Sequence, residues 1–310
     1  MKAVAPPASI RVFSEEAPAR LGVGRLAARN KSVLVGGAVL AVIALIGLLA
    51  PYLGTVDPAQ INPAARNRTP GSESVSRNAD GTRSHLTHWM GTDSLGRDIY
   101  SRVIYGARVS LIVGASVAVM SAAVGLFIGL LAGYLRWLDG IVMRIMDGLM
   151  SIPAILLAIA LMSLASAGLR TVILAIVIPE VPRVVRLVRA VVLSIREEPY
   201  VEAAIALGAP TPGLLARHVL PNTVAPLIVQ ATFVCASAIL VEAILSFLGI
   251  GIPPQMPTWG NIMAEGRTLF RVFPHNILFP GVFLAVTVLA VNMLGDGLRD
   301  TLDPRLRKRL

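Results

Sequence analysis

Long apolar runs without a charged residue alternate with short polar segments through most of this chain. Val33 to Val56 is charge-free over 24 residues, Val109 to Leu135 over 27, Val219 to Val241 over 23 and Asn276 to Gly295 over 20. A helix needs about 20 apolar residues to cross a bilayer. The first run is also too long for the core of a cleavable signal peptide, about 7–15 residues. The pattern predicts six membrane-spanning helices. The first covers 33–56, the second Val109–Leu135, and the third Gly148–Leu169 with Pro153 as a kink. A fourth, less clean span starts near Thr171 and contains Pro179, Glu180 and Pro182. The fifth covers Val224–Phe247 and the sixth Asn276–Gly295.

The segments between the runs differ in kind. Residues 1–32 form a basic arm, with Lys2, Arg11, Arg20, Arg25, Arg29 and Lys31 against Glu15 and Glu16. Residues 57–104 are a long polar loop. Its part from Asn62 to Ser84 is rich in Asn, Ser, Arg, Pro and Gly and reads as an exposed insert. Further along this loop, Asp93 is placed to cap a following helix, and Gly91 and Gly96 to shape turns. Residues 105–298 hold the other five spans, including a cytoplasmic loop at 196–223. Residues 299–310 are a basic tail with Arg305, Arg307, Lys308 and Arg309. Basic segments stay on the cytoplasmic side, so both termini are expected there.

Composition sharpens this picture. Of 310 residues, 55% are hydrophobic and 15% charged, against about 25% charged in a soluble domain. The net charge of +10 sits in scattered basic residues with few aromatics, which fits topology bias better than nucleic-acid binding. Cys235 is the sole cysteine, so no disulfide framework exists. His85 and His88 are three apart but lack supporting ligands, and no metal site is expected. The chain has no G-x-x-x-x-G-K-[ST] phosphate loop, no G-x-S-x-G and no H-E-x-x-H, so it is not expected to be an enzyme.

Ionisable residues inside spans are functional candidates by default. Asp147 lies near the start of the third span, three residues from Arg144, with which it can pair. Glu180 can pair with Arg183. Arg183, Arg186 and Arg189, at spacing three, are expected at the cytoplasmic boundary facing water, headgroups or the 196–223 loop. Glu242 lies in the outer part of the fifth span, where a water-filled cavity or another subunit would accommodate it.

The loop at 196–223 predicts a short helix from Tyr200 to Leu207, a left-handed turn at Gly208, breaks at Pro210 and Pro212, and a second helical piece from Gly213 to Val219 leading to Pro221. Its Glu202-Ala203-Ala204, Gly208 and Leu220-Pro221 resemble the EAA loop of permease subunits of ATP-binding-cassette importers. His88 to Asp98, with Gly91, Thr92, Asp93, Gly96, Arg97 and Asp98, resembles the HxLGTDxxGRD run of the dipeptide, oligopeptide and nickel branch. Met90 stands where that branch usually has Leu. Glu242 to Gly251, followed by Trp259, Gly260 and Asn261, and the ending Gly295 to Arg305 match further motifs of that branch.

The resemblance implies an all-α integral membrane protein with the type I (MetI-like) importer permease fold, and closest to the second, C-type permease. It implies that Tyr200, Glu202, Ala203, Ala204, Gly208, Arg217, Leu220 and Pro221 couple to a separate ATPase. It implies a second permease, two cytoplasmic ATPases that bind ATP and Mg, and an extracytoplasmic substrate-binding protein, in a bacterial inner membrane. No cofactor is implied for this chain itself. Peptides are the expected cargo, with nickel chelates or another small solute as alternatives. Asp93, Arg97 and Asp98 read as a capped turn with local ion pairs, and Trp259 as an interface anchor. The rival class is an ion-driven secondary transporter with Asp147, Glu180 and Glu242 as relay groups.

Overall fold

The computed structural model describes residue 26 and residues 28–77 and 83–302. Most of the basic arm, the tip of the polar insert and the end of the basic tail lie outside the described residues. The described chain is a helical bundle with one small hairpin. The helices are α1 (Lys31–Leu48), α2 (Ile99–Tyr134), α3 (Arg136–Met150), α4 (Ala154–Ser163), α5 (Leu169–Arg196), α6 (Pro199–Ala206), α7 (Thr211–Leu214), α8 (Leu220–Phe247), α9 (Trp259–Gly266) and α10 (His275–Leu302). Strands β1 (Ser72–Arg77) and β2 (Arg83–His88) pair antiparallel, Ser72 opposite His88.

Among the described residues, four stretches are long and apolar enough to cross a membrane: Lys31–Leu48, Ile99–Tyr134, Thr211–Phe247 and His275–Leu302. The expected third span differs from its sequence reading. It is two helices, α3 and α4, bent by 85° at Ser151–Pro153. Pro153 lacks an N–H, and here it divides the helix where a kink was expected. The segment from Arg136, ahead of the expected third span, is already helical. Its apolar side chains fall on one face, with Trp137, Ile141 and Ile145 exposed. α5 has the length of a span, 28 residues, but its charges keep it out of the apolar set. α2 starts ten residues before the expected second span, because Asp98 caps it at Ile99: the Asp98 carboxylate accepts the Ser101 N–H at 2.7 Å.

The core forms where α2, α5 and α8 meet. Val113, Val117, Val184, Val185, Val188, Val192 and Leu245 are all buried there. α2 and α5 approach closely because Gly125, Gly129 and Gly133 lie one turn apart on α2 and face Val184, Val188 and Val192 on α5. A Cβ on these glycines would sit 2.5, 2.7 and 2.7 Å from the respective valine Cβ atoms. Small residues at this spacing let helix backbones approach within membranes. At the other flank, α1 packs on α10. A Cβ on Gly36 would meet the Ala290 carbonyl oxygen at 2.7 Å, and Asn30 caps α1 while its Nδ2 donates to the Gly297 carbonyl at 3.1 Å.

Burying the valine face of α5 turns Arg183, Arg186 and Arg189 to other sides of the helix, where each meets a carboxylate. Arg183 Nη1 bonds Glu180 at 3.2 Å, as expected from their spacing. Arg186 pairs at 2.5 Å with Asp147 on α3, so Asp147 takes Arg186 in place of the expected Arg144. Arg189 pairs bidentately with Asp139, through Nε and Nη2. Long-range helix contact decides the partners of Arg186 and Arg189, and spacing along one helix decides that of Arg183.

Gly129→Ala is expected to destabilise the protein by ~1–3 kcal/mol, since the Val185 carbonyl and Val188 leave no room. Gly148→Ala, with nothing within 4 Å of its Cβ, is expected to be neutral or to stabilise by up to ~1 kcal/mol. Thermal melting of the purified proteins in detergent checks both signs.

Candidate functional site

At one end of the bundle, the chain leaves α5 and builds the short helix α6 before returning to α8. Val201 is fully buried and holds α6 to the bundle, while Glu202 and Ala203 are exposed and Leu207 is 88% exposed. Gly208 ends α6 in the left-handed region at φ 78°, and its N–H donates to the Ile205 carbonyl at 2.9 Å. After Pro210, α7 runs into a π turn over Leu215–Val219 and then into α8 without a break. The second helical piece was expected to stop at Pro221. Instead Pro221 lies in the first turn of α8, where its missing N–H costs nothing. The Leu220 N–H bonds back to the Leu215 carbonyl, five residues earlier. Leu214 and Val219 are buried anchors, and Arg217 and Pro221 are exposed. Leu220 is half-buried. Tyr200 lies 5.8 Å from the His218 ring and its hydroxyl accepts from Asn222 Nδ2 at 3.4 Å, closing the loop on itself.

The loop is braced against the bundle. Arg196, at the end of α5, donates to the Gly133 and Tyr134 carbonyls at 3.2 and 3.0 Å and lies 5.3 Å from the Tyr134 ring centre. It thereby caps the C-terminus of α2, where positive charge is favoured. A cleft of about 430 Å³ opens beside it, lined by Gly133, Arg136, Asp139, Arg196, Glu197, Glu202 and Ile205. Glu202, Ala203 and Ala204 thus lie on one short helix at the rim of a cleft bounded by α2, α3 and α5. Arg196 and Asp139 were missed by the sequence reading, because their roles depend on helices distant in sequence.

At the hairpin end, the second group of expected residues is buried. Asp93 accepts the Leu95 and Arg97 N–H groups at 2.9 Å each and Arg97 Nε at 2.7 Å, so it builds its own turn and does not cap α2. Asp98 has that role, and His88 Nδ1 lies 2.9 Å from its carboxylate. Gly91 and Gly96 adopt φ 80° and 77°, and a Cβ on Gly96 would lie 1.9 Å from the Asn62 carbonyl oxygen. Thr92 Oγ1 accepts the Arg68 N–H at 2.8 Å and donates to the Ala65 carbonyl. Residues 62–68 of the expected exposed insert therefore pack into this turn, with Ala65 fully buried. Their polar sequence masks this, since what they contribute is backbone carbonyls and a small side chain.

Arg97 and Arg102 both reach Glu265 on α9, and Arg102 Nη2 is 3.4 Å from it. Burial pushes the Glu265 carboxyl above its usual range, against the opposing pull of Arg102 and Arg97. Trp259 is fully buried and its indole N–H donates to the Val103 carbonyl at 3.1 Å, so it anchors α9 internally and is no interface residue of the exposed kind expected. Gly260 admits Ala243, whose carbonyl oxygen would be 2.3 Å from a Cβ, and Asn261 completes a capping box with Thr258.

The candidate relay carboxylates have separate surroundings. Glu242 is fully buried, accepting from Ser246 Oγ at 2.7 Å and from Ser110 Oγ at 3.5 Å, in place of an open cavity. Glu180 accepts from Ser237 on α8 and from Arg183, and Asp147 from Arg186. No hydrogen bond among the described residues joins one of these carboxylates to another.

Comparison with known proteins matches this architecture. Residues 125–308 fit the family described as binding-protein-dependent transport system inner membrane component, and residues 25–70 fit the N-terminal membrane domain of oligopeptide transport permease C. A probable peptide ABC transporter permease of Sinorhizobium fredii is 52% identical over 93% of this chain and 94% of its own length. The dipeptide transport system permease DppC of Alkalihalophilus pseudofirmus is 41% identical over 90% of this chain and 88% of that protein. Among solved structures, the inward-facing MetNI methionine ABC transporter superposes with a TM-score of 0.54 at 21% identity, covering 66% of this chain and 97% of that one. That likeness speaks to the fold. Family match, relatives and fold agree, and the chain belongs to the binding-protein-dependent transport system inner membrane components.

Proposed function

We propose that this chain is a permease subunit of an ATP-driven peptide importer, one half of a translocation path completed by a second permease. The observation that carries the reading is the exposed helix α6, held between α5 and α8 and presenting Glu202 and Ala203 outward. Two cytoplasmic ATPases, which bind ATP and Mg, would grip this helix and its counterpart on the second permease. This chain would then contribute no catalytic group and no cofactor. An extracytoplasmic binding protein would deliver cargo at the hairpin end, and both termini would lie in the cytoplasm of a bacterium, with the bundle in its plasma membrane.

The mechanism follows from how α6 is attached. Its buried anchors Val201, Leu214 and Val219 give it little freedom to rock by itself. Movement of α6 would pass to α5 and α8, and through the glycine–valine contact to α2. ATP-driven closure of the ATPase pair would favour one orientation of the bundle, and hydrolysis would release it; the bias is the difference in ATP affinity between the two states. Peptide cargo is supported by the relatives, which include a probable peptide permease and a dipeptide permease.

Glu202→Lys is expected to leave membrane insertion unchanged while abolishing co-purification of the ATPases and ATP-dependent peptide uptake; wild-type uptake by this variant would remove the coupling role. Gly208→Val is expected to reduce uptake more mildly. It forces a β-branched residue to φ 78°, at a cost of ~1–2 kcal/mol, and uptake measured in proteoliposomes beside complex yield separates lost coupling from lost assembly.

A further inference from the structure

Three helices each turn one face toward the cleft beside α6. α3 contributes Arg136 and Asp139, three residues apart, and α6 contributes Glu202 and Ile205 at the same spacing. α5 contributes Leu193, Arg196 and Glu197, at spacings of three and four. Residues at these spacings lie on one side of a helix, so each wall is a continuous face. The buried Ala132 and Gly133 close the cleft where α2 ends. Its volume of about 430 Å³ falls within the ~300–1,000 Å³ of small-molecule sites.

The charges of this cleft are unevenly used. Asp139 is engaged by Arg189 through Nε and Nη2. Arg196 holds the Gly133 and Tyr134 carbonyls through Nη1. The side chains of Arg136, Glu197 and Glu202 make no ion pair or hydrogen bond among the described residues. An open guanidinium thus comes from the α3 wall, and two open carboxylates come from the α5 and α6 walls. A ligand of one sign would meet its like charge on one of these walls, whereas a ligand carrying both signs complements them. Leu193 and Ile205 add apolar lining. A short zwitterion with an ammonium, a carboxylate and an apolar side chain has all three features.

We propose that this cleft binds such a zwitterion, an amino acid or short peptide, with its carboxylate on Arg136 and its ammonium on Glu197 and Glu202. The proposal rests on the importer reading, which puts the cleft in the cytoplasm, where imported product accumulates. A ligand held by Glu202 on α6 and by Arg136 on α3 ties the two helices together and occupies a carboxylate assigned to the ATPase. It favours the conformation in which the cleft is open and thereby slows ATP-driven movement of α6. The cleft is then a product-sensing site, built on the permease itself.

Two measurements on the full complex test this. Binding of radiolabelled leucyl-leucine is measured by equilibrium dialysis of this chain with its second permease and ATPases in nanodiscs, without ATP or binding protein. ATP hydrolysis is measured in proteoliposomes whose ATPases face outward, with binding protein and peptide enclosed and leucyl-leucine added outside. Saturable binding and at least a fivefold fall in hydrolysis are expected. The N-acetylated, C-amidated dipeptide should do neither. Arg136→Gln and Glu197→Gln are expected to weaken binding about tenfold each, the scale of one charge-assisted hydrogen bond. Arg136→Lys should recover part of that loss, and all three variants should keep the uninhibited rate of hydrolysis. Free leucine binding as tightly as the dipeptide would support the site and make amino acids its ligand. Absence of saturable binding, equal binding of the blocked dipeptide, or wild-type affinity in both Gln variants overturns the site. Binding without a fall in hydrolysis overturns its regulatory role. Hydrolysis that enclosed binding protein and peptide do not stimulate would be a failure of the importer reading, and dialysis would still decide the site.

Discussion

The close contact between α2 and α5 is the constraint on which the other parts of the bundle depend. Three glycines one turn apart admit three valines, and this fixes both the distance and the rotation of α5. Rotation matters most. With Val184, Val188 and Val192 buried against α2, the arginines at 183, 186 and 189 must lie on another side of the helix. Each then finds a carboxylate, from α5 itself or from α3. A charged helix can thus pack in the centre of an apolar protein, because its apolar face does the packing and its charges are compensated in pairs. The pairs themselves are half-exposed or spread between helices, and their value is placement more than net stability.

The same helix connects the middle of the bundle to the end that carries α6. Arg196 finishes α5 by capping α2, so the two helices are joined at their ends as well as along the glycine stripe. α6 follows after two residues, which leaves little slack between it and the bundle. At the far end, a second rigid unit forms around Glu265, Arg97 and Arg102, with Trp259 sealing α9 onto α2. The short helices at both ends are therefore tied to α2. The long helix serves as the common frame, and the two faces of the protein are linked through it.

Much of this was legible in the sequence. The apolar runs located α1, α2, α8 and α10, since length without charge is set by the bilayer and needs no tertiary contact. The Glu202 to Pro221 spacing located the short helix α6 and its left-handed turn, because Gly208 and Pro210 act locally on the backbone. Less was legible where partners come from afar. Asp147 was matched with Arg144 by spacing, and folding gave it Arg186. Trp259 read as an exposed anchor and is a core residue. The segment 62–68 read as loose chain, yet its carbonyls fill the turn at Gly91 to Gly96.

The sequence alone therefore determined that the chain crosses a membrane, breaks into a short helix and a left-handed turn between α5 and α8, and belongs with transport permeases, because hydropathy, turn chemistry and motif spacing are properties of neighbours along the chain. Tertiary structure decided which way α5 turns, which carboxylate each arginine meets, and that Pro153 divides one expected span into two helices bent by 85°. Those outcomes depend on shape complementarity between helices far apart in sequence, and on the requirement that every buried charge find a partner in three dimensions.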